Sequence, residues 1–473
     1  MKLKHVLRLL LSALVMLAVE ACVKPVVHNF PPEDTGVRLD STNLPIVWID
    51  VDGDSIMRDT RIGGHMTIIW NGEGKMNYAD TIAHPGQRID YDGYITIRHR
   101  GNSTYNDSPK KPYSLRTLAA PLKHDGKKQK VSLLGMGKDN NWALLAPYAD
   151  RSLIRDMLTF ELARPWMEFV PQGRHCELFL DGIYYGVYVL AEVVSKGKHR
   201  LDLKKPGDEG DALTGDYLME VDCNDDVTYT SRYYPVDTSG NPINDHRIMF
   251  QYKSPDRENL SDAQLEYINR RIDAMEAALA SGQYHGFIDV TSFIDYQLMM
   301  ELCHNVDAYR LSGKFYKRRD SVDPRFKMVI WDTDLAYGNA EHRQSWRTDT
   351  WMYQNNNIMY QEGEVHLVPF WWYVLNNDPA YTAQLKVRWA QYRRGNMSND
   401  QVMVKLDSLA TVLTVQGAEQ RNSRAWHCWG EKKWRFHHYS PADYQDEINY
   451  IKQWLLARLA WMDQQLDVDM NNN

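Results

Sequence analysis

The stretch from Asn305 to Asn339 constrains this chain more than any other. It reads Asn305-Val306-Asp307, then an aromatic run Lys314-Phe315-Tyr316-Lys317. A charged turn with a Pro follows, then Phe326-Lys327-Met328-Val329-Ile330-Trp331, and Asp332-Thr333-Asp334 closes it before Gly338. Two short apolar runs bracketed by carboxylates read as adjacent strands whose acidic ends meet. Carboxylates at the ends of adjacent strands can converge on one cation or one transferable proton. Asp-x-Asp at a strand exit is also ordinary turn chemistry.

The length of 473 residues allows one large domain or two to three ordinary ones, and 43% hydrophobic with 25% charged residues fits a globular chain. The net charge of -7 gives no electrostatic case for nucleic acid. At the N-terminus, Lys2, Lys4 and Arg8 precede the apolar Leu9 to Ala18, and Val19-Glu20-Ala21-Cys22 resembles a lipobox. This predicts a signal peptide over 1–21 with Cys22 lipidated, an exported and lipid-anchored protein of the cell envelope, and a tether over 22–43. The remaining Cys176, Cys223, Cys303 and Cys428 lie far apart without zinc spacing and are expected as buried thiols.

From Leu44 the chain changes to short apolar runs broken by Gly, Asn and Asp. Pro45 to Val51, His65 to Trp70 and Tyr94 to His99 read as strands, Ile95, Ile97 and His99 alternating with Thr96 and Arg98. A loop Arg100-Gly101-Asn102-Ser103 follows, then Lys110-Lys111-Pro112-Tyr113. Its free N–H and hydroxyl donors among cations make a candidate anion cradle, or else a charged hairpin tip. Asp150 reads as a helix N-cap, with Ile154, Leu158 and Leu162 on one face and Arg155 on another, able to point into a cleft. Asp181-Gly182 reads as a hairpin turn, and Glu192 ends the strand after it. Helical signals then dominate: a capping box at Ser261 to Gln264, a buried helix over Phe293 to Cys303, and a helix start at Ser440-Pro441. The polar, aromatic stretch after Asn339 reads as a lid or substrate-facing loop. The reading is an α+β fold: a β-rich lobe over 44–235 with the basic loop, and a helical lobe over 236–467 with the carboxylates.

Five motifs in order, from Arg100-Gly101-Asn102-Ser103 with Lys110-Lys111, through Trp142 to Asp150 with Arg155, Leu178 to Tyr188 with Glu192, and Asn305-Val306-Asp307, to Trp331 to Gly338, resemble the spore-coat CotH kinase family. The closing Trp454 to Arg458 looks like its lipoprotein branch in Bacteroidetes. The resemblance implies an atypical protein-kinase-like, two-lobed fold using ATP with Mg²⁺ or Mn²⁺. It implies Lys111 as the phosphate-binding lysine and Arg155 on the helix beside it. Arg100, Asn102, Ser103 and Lys110 would lie around the phosphates and Glu192 near the base. Asp307 would be the catalytic carboxylate and Asp332 the metal ligand, with Asp334 a second. Lys314 departs from the pattern, since many members carry Asn there. The implied activity is phosphoryl transfer to Ser, Thr or Tyr of an envelope or surface protein. Two readings stand beside it: a catalytically silent surface lipoprotein binding glycans or protein ligands, and a metal-dependent hydrolase built on Asp332 and Asp334. Oligomeric state is not legible.

Overall fold

The computed structural model describes residues 35–222, 229–430, 432–434 and 436–468. Cys22 and Cys223 lie outside them. The β-rich part comes first and helices fill the later part.

Two short strands, β1 (Ser41–Thr42) and β4 (Asn77–Tyr78), pair with each other. A closed barrel is formed by β2 (Ile46–Asp50), β3 (Ile62–Ile69), β5 (Ile89–His99), β6 (Tyr113–Leu118), β7 (Asn141–Leu145), β8 (Gly173–Leu180) and β9 (Ile183–Glu192). Its order is β2-β3-β5-β6-β7-β9-β8, and β8 closes it by pairing parallel to β2. Closure leaves no free edge in this sheet. Every second residue points inward, so Ile95, Ile97, Leu115, Trp142 and Leu178 fill the interior with no exposed surface. The described part of the expected tether, 35–43, is packed on the barrel. Val37 and Leu39 lie against Phe179 and Tyr184, and Thr42 donates to Glu177 Oε1 at 3.1 Å.

A second, antiparallel sheet has the order β11 (Tyr229–Thr230), β12 (Met249–Ser254), β10 (Tyr217–Val221), β13 (Gly313–Lys317), β14 (Phe326–Val329). It joins strands from both sides of residue 235, with β10 in the middle against β13. Helix Asp262–Ala280 packs beside it and begins with the full capping box, Ser261 and Gln264 bonding reciprocally. Helix Val290–Cys303 is buried from Phe293 to Cys303, ends at His304 in the left-handed region, and delivers the chain to Asp307. The last helix, Tyr444–Gln465, starts later than Ser440-Pro441 suggested, because Asp443 provides the cap at 2.9 Å to Asp446 N–H.

The two parts are tied by helix Ala418–Trp426, which lies on β9. Asn422 Oδ1 accepts from Val187 N–H at 3.1 Å and Lys110 Nζ at 2.8 Å, and Trp426 donates to the Tyr185 carbonyl at 2.8 Å. Gly186 permits the approach: its φ is 87°, and a Cβ there would sit 2.6 Å from Asn422 Oδ1. Cys176, Cys303 and Cys428 are buried and free. Among the described residues no helix is long and apolar enough to cross a membrane.

Candidate active site

The carboxylates meet where the barrel faces the second sheet. Asp307 follows the buried helix Val290–Cys303, and Asp332 and Asp334 follow β14. Asn305 links the two loops by donating from Nδ2 to the Asp332 carbonyl at 2.8 Å, and Ser312 Oγ donates to Asp332 Oδ2 at 3.0 Å. Backbone strain is concentrated here: His304, Tyr309, Ser312, Asp332 and Tyr337 all have positive φ, that of Asp332 being 63°. Such conformations cost energy and persist where the surroundings over-determine them.

Asp307 keeps 25% of its side-chain surface open, while its partner Arg310 keeps 1%. Arg310 donates from Nη2 to Asp307 Oδ1 at 2.8 Å and pairs with Glu364 at 3.0 Å. Glu364 belongs to the stretch expected as a lid, so that stretch reaches the site. Burial raises the Asp307 pKa to about 6, against the lowering pull of Arg310 and with the push of Asp332. Burial raises Asp334 well above the ordinary carboxylate range, and Asp332, Asp156, Asp150 and Asp307 add to it. Asp156, on helix Arg155–Ala163, is raised to about 7 by burial and by Asp332, although Thr333 donates to it through N–H at 2.7 Å and Oγ1 at 2.9 Å.

Two cations face this acidic group. Arg100 follows β5, lies 5.1 Å over the Trp331 ring, and feels the charges of Asp332 and Asp156. Lys314 stands directly opposite Glu220 in the β10–β13 ladder, and its Nζ pairs with Glu220, which also pairs with Lys253 at 2.6 Å. Burial pushes the Lys314 ammonium down to about 7, Asp332 pulls it up and Arg100 pushes it further down. The Glu220 carboxylate in contact with Nζ also holds its proton on.

The other expected residues take different positions. Lys110 is buried, donating to the Val187 carbonyl and to Asn422. Lys111 Nζ donates to the Tyr105 carbonyl and sits 4.9 Å from that ring's centre. Among the described residues no ion pair or hydrogen bond joins Lys111 to the carboxylates. Asn102 and Ser103 are exposed at the start of the short helix Ser103–Asp107. Glu192 is held by Arg200 at 2.6 Å and by the N–H groups of Gly137 and Gln172, both at 3.1 Å. Arg155 is buried in a knot with Asp150 at 2.7 Å, Glu447 at 2.6 Å and the Ala336 carbonyl at 2.9 Å. Asp150 Oδ2 also accepts from Arg155 N–H at 2.8 Å, so it serves the helix start from five residues upstream. His437, outside that expected set, is buried with its Nε2 2.7 Å from the Ala149 carbonyl. The sequence reading left out Asp156, Glu220, Arg310 and Glu364. Only Arg310 carried a local signal, three residues after Asp307.

The geometry defines an α+β protein whose two β systems bring carboxylates and cations together, a combination phosphoryl transfer uses. The family model described as CotH kinase protein matches residues 97–462, and the chain belongs to that family. A comparison with curated proteins gave no match.

The family implies ATP and a divalent metal in general. Burial raises Asp307, Asp334 and Asp156, and neighbouring carboxylates add to it; a hard divalent cation offsets that carboxylate repulsion, so the donor set fits one. Among the described residues no three such groups already surround a single point.

Proposed function

We propose that the protein is an exported atypical protein kinase that transfers the γ-phosphoryl group of ATP to a hydroxyl side chain of an envelope protein. The observation that carries this reading is Asp307, a part-buried carboxylate with 25% of its side chain exposed, raised to about 6 mainly by burial and fixed by Arg310 beside Asp332. A base with that pKa is mostly ionised at neutral pH and can accept the acceptor hydroxyl's proton. Arg310 orients the carboxylate. Asp332 and Asp334 would hold the metal, which supplies charge neutralisation at the phosphates when bound. Arg100 adds positive charge on the barrel side, and Lys314, held by Glu220, borders the carboxylates on the sheet side. Export and lipidation at Cys22 rest on the N-terminal sequence pattern.

The test is transfer of radiolabel from ATP to the protein itself or to a generic protein substrate, with Mg²⁺ and with Mn²⁺. Label in the native protein and none in Asp307→Asn, with ATP binding retained, is expected. No label with either metal removes the reading and leaves the ligand-binding alternative.

A further inference from the structure

Next to Arg100, the outer wall of the barrel carries further positive charge that the proposed chemistry does not use. In β5, Ile95 and Ile97 point inward and are fully buried, so Thr96 and Arg98 share the outer face, and Arg100 follows one residue past the strand's end. Arg116 on β6 stands opposite Thr96, and Lys128 bridges to Leu118 at the far end of β6. Arg61, just before β3, reaches across β5. Its Nη1 donates to the Ser114 carbonyl at 3.0 Å and its Nη2 to Ser114 Oγ at 2.7 Å. Arg100, Arg98, Arg116 and Lys128 therefore form a row with Arg61 laid beside it, and the row starts at the carboxylates, where Arg100 faces Asp332.

The hydrogen bonds of Arg61 and Arg116 go to neutral groups, Arg61 to Ser114 and Arg116 Nε to Asn141 Oδ1 at 3.2 Å. Among the described residues no carboxylate pairs with Arg61, Arg98, Arg116 or Lys128. Three acids of the neighbouring strands and loops are engaged elsewhere: Asp139 with Lys130 at 3.8 Å, Asp90 with Arg88 at 3.1 Å, Asp92 with His65 at 3.4 Å. The Arg98 Nε is shut away from water and has no hydrogen-bond partner among the described residues. The cations also depress one another. Burial, then Arg116 and Arg98, bring Arg61 down to about 9, while Arg116 is lowered by burial and Arg98, and Lys128 by Arg116, burial and Arg61. Ordinary surfaces intersperse the two signs. A one-sign row with an orphaned donor is complementary to something negative.

We propose that this row is the docking track for an extended acidic segment of the protein substrate, leading its hydroxyl residue to Asp307. The assignment rests on the phosphoryl-transfer reading of the carboxylate site. The length selects the occupant. From Arg100 to the level of Leu118 the register spans six residues of β5, about 20 Å at ~3.4 Å per residue. A triphosphate engages only the Arg100 end, whereas a strand-like peptide of six residues covers the whole row. Its alternate side chains repeat every ~7 Å, the spacing of Arg100, Arg98 and Arg116 along the face. The recognised chemistry is thus Asp or Glu at every second position beside the acceptor.

The experiment uses the full chain and a fluorescent peptide with Asp at alternate positions over six residues next to a Ser, read by anisotropy without ATP. The expected result is binding that falls steeply with salt, is absent for the matching Lys peptide, and weakens about tenfold or more in Arg98→Gln/Arg116→Gln, since each ~1.4 kcal/mol is a factor of ten. Arg98→Lys/Arg116→Lys restores it, which separates lost charge from a damaged fold. Equal binding of the two peptides, an unchanged Gln variant, or capture of sulfated polysaccharide or anionic vesicles in place of the peptide overturns the proposal. Adding labelled ATP separates the two readings. Peptide binding without transfer keeps the track and removes the kinase, and transfer indifferent to the acidic positions keeps the kinase and removes the track.

Discussion

Replacing Arg155 with Ala should destabilise the whole chain. Its guanidinium has no exposed surface and pairs at 2.7 Å with Asp150 and 2.6 Å with Glu447, each carboxylate being 2% exposed. It also satisfies the Ala336 carbonyl at 2.9 Å. Glu447 lies on the last helix and Ala336 on the loop after Asp334, so the knot joins the start of helix Arg155–Ala163 to both. Removing one member of a buried ion pair leaves uncompensated charge and costs about 3–5 kcal/mol. The orphaned carbonyl adds about 1–3 kcal/mol. A total of roughly 4–8 kcal/mol is comparable to the 5–15 kcal/mol that holds a typical domain folded. Urea unfolding followed by tryptophan fluorescence measures it. A loss below about 1 kcal/mol together with abolished activity would refute the buried-knot argument and return Arg155 to the cleft as a residue acting on substrate.

Four further outcomes follow from the structure. Lys111→Ala should leave ATP affinity within about twofold, because its ammonium is spent on Tyr105, whereas Arg100→Gln should weaken it about tenfold or more, the cost of one charge-assisted contact; calorimetry on both variants decides between them. The transfer rate should rise with pH through about 6, because Asp307 works ionised and its pKa is raised there mainly by burial; Arg310→Gln, which removes the group that lowers this pKa, should move the midpoint upward. In stability the sign is opposite: between the ordinary carboxylate pKa and about 6 the folded chain binds more protons than the unfolded one, so Asp307 makes the fold less stable as pH rises through that window, and Asp307→Asn should flatten that slope in pH-dependent unfolding. Gly186→Ala should cost about 1–3 kcal/mol through the clash with Asn422 and Trp426, read as a lowered midpoint in urea.

Local chemistry was legible in the sequence, and long-range chemistry was not. The capping box at Ser261, the inward alternation of Ile95 and Ile97, and the hairpin at Asp181-Gly182 each depend on residues a few positions apart. The convergence of Asp307 and Asp332 was readable for the same reason, since both sit at the ends of one compact strand unit. Barrel closure by parallel pairing of β2 with β8 leaves no local trace, because its partners lie more than a hundred residues apart. Arg155 reads as a polar residue on an amphipathic helix, and its partner Glu447 arrives from the last helix. The choice of basic group shows the limit most clearly. A lysine at a strand head is the familiar phosphate ligand, yet the strand register directs Arg100 to the carboxylates while Lys110 turns toward Asn422 and Lys111 toward Tyr105. Helix Ala418–Trp426 decides the fate of Lys110, and nothing near residue 110 announces it.

The central claim is that Asp307, Asp332, Asp334, Arg100 and Lys314 form one nucleotide site between the barrel and the second sheet. Calorimetric titration of the full chain with ATP, in Mg²⁺, in Mn²⁺ and in chelator, beside Asp332→Ala, tests it most directly. The account predicts binding that requires the metal and is lost in the variant, with the variant's unfolding midpoint unchanged or raised as crowding among the carboxylates is relieved. Binding that is the same in chelator, or that survives Asp332→Ala at full strength, would contradict it.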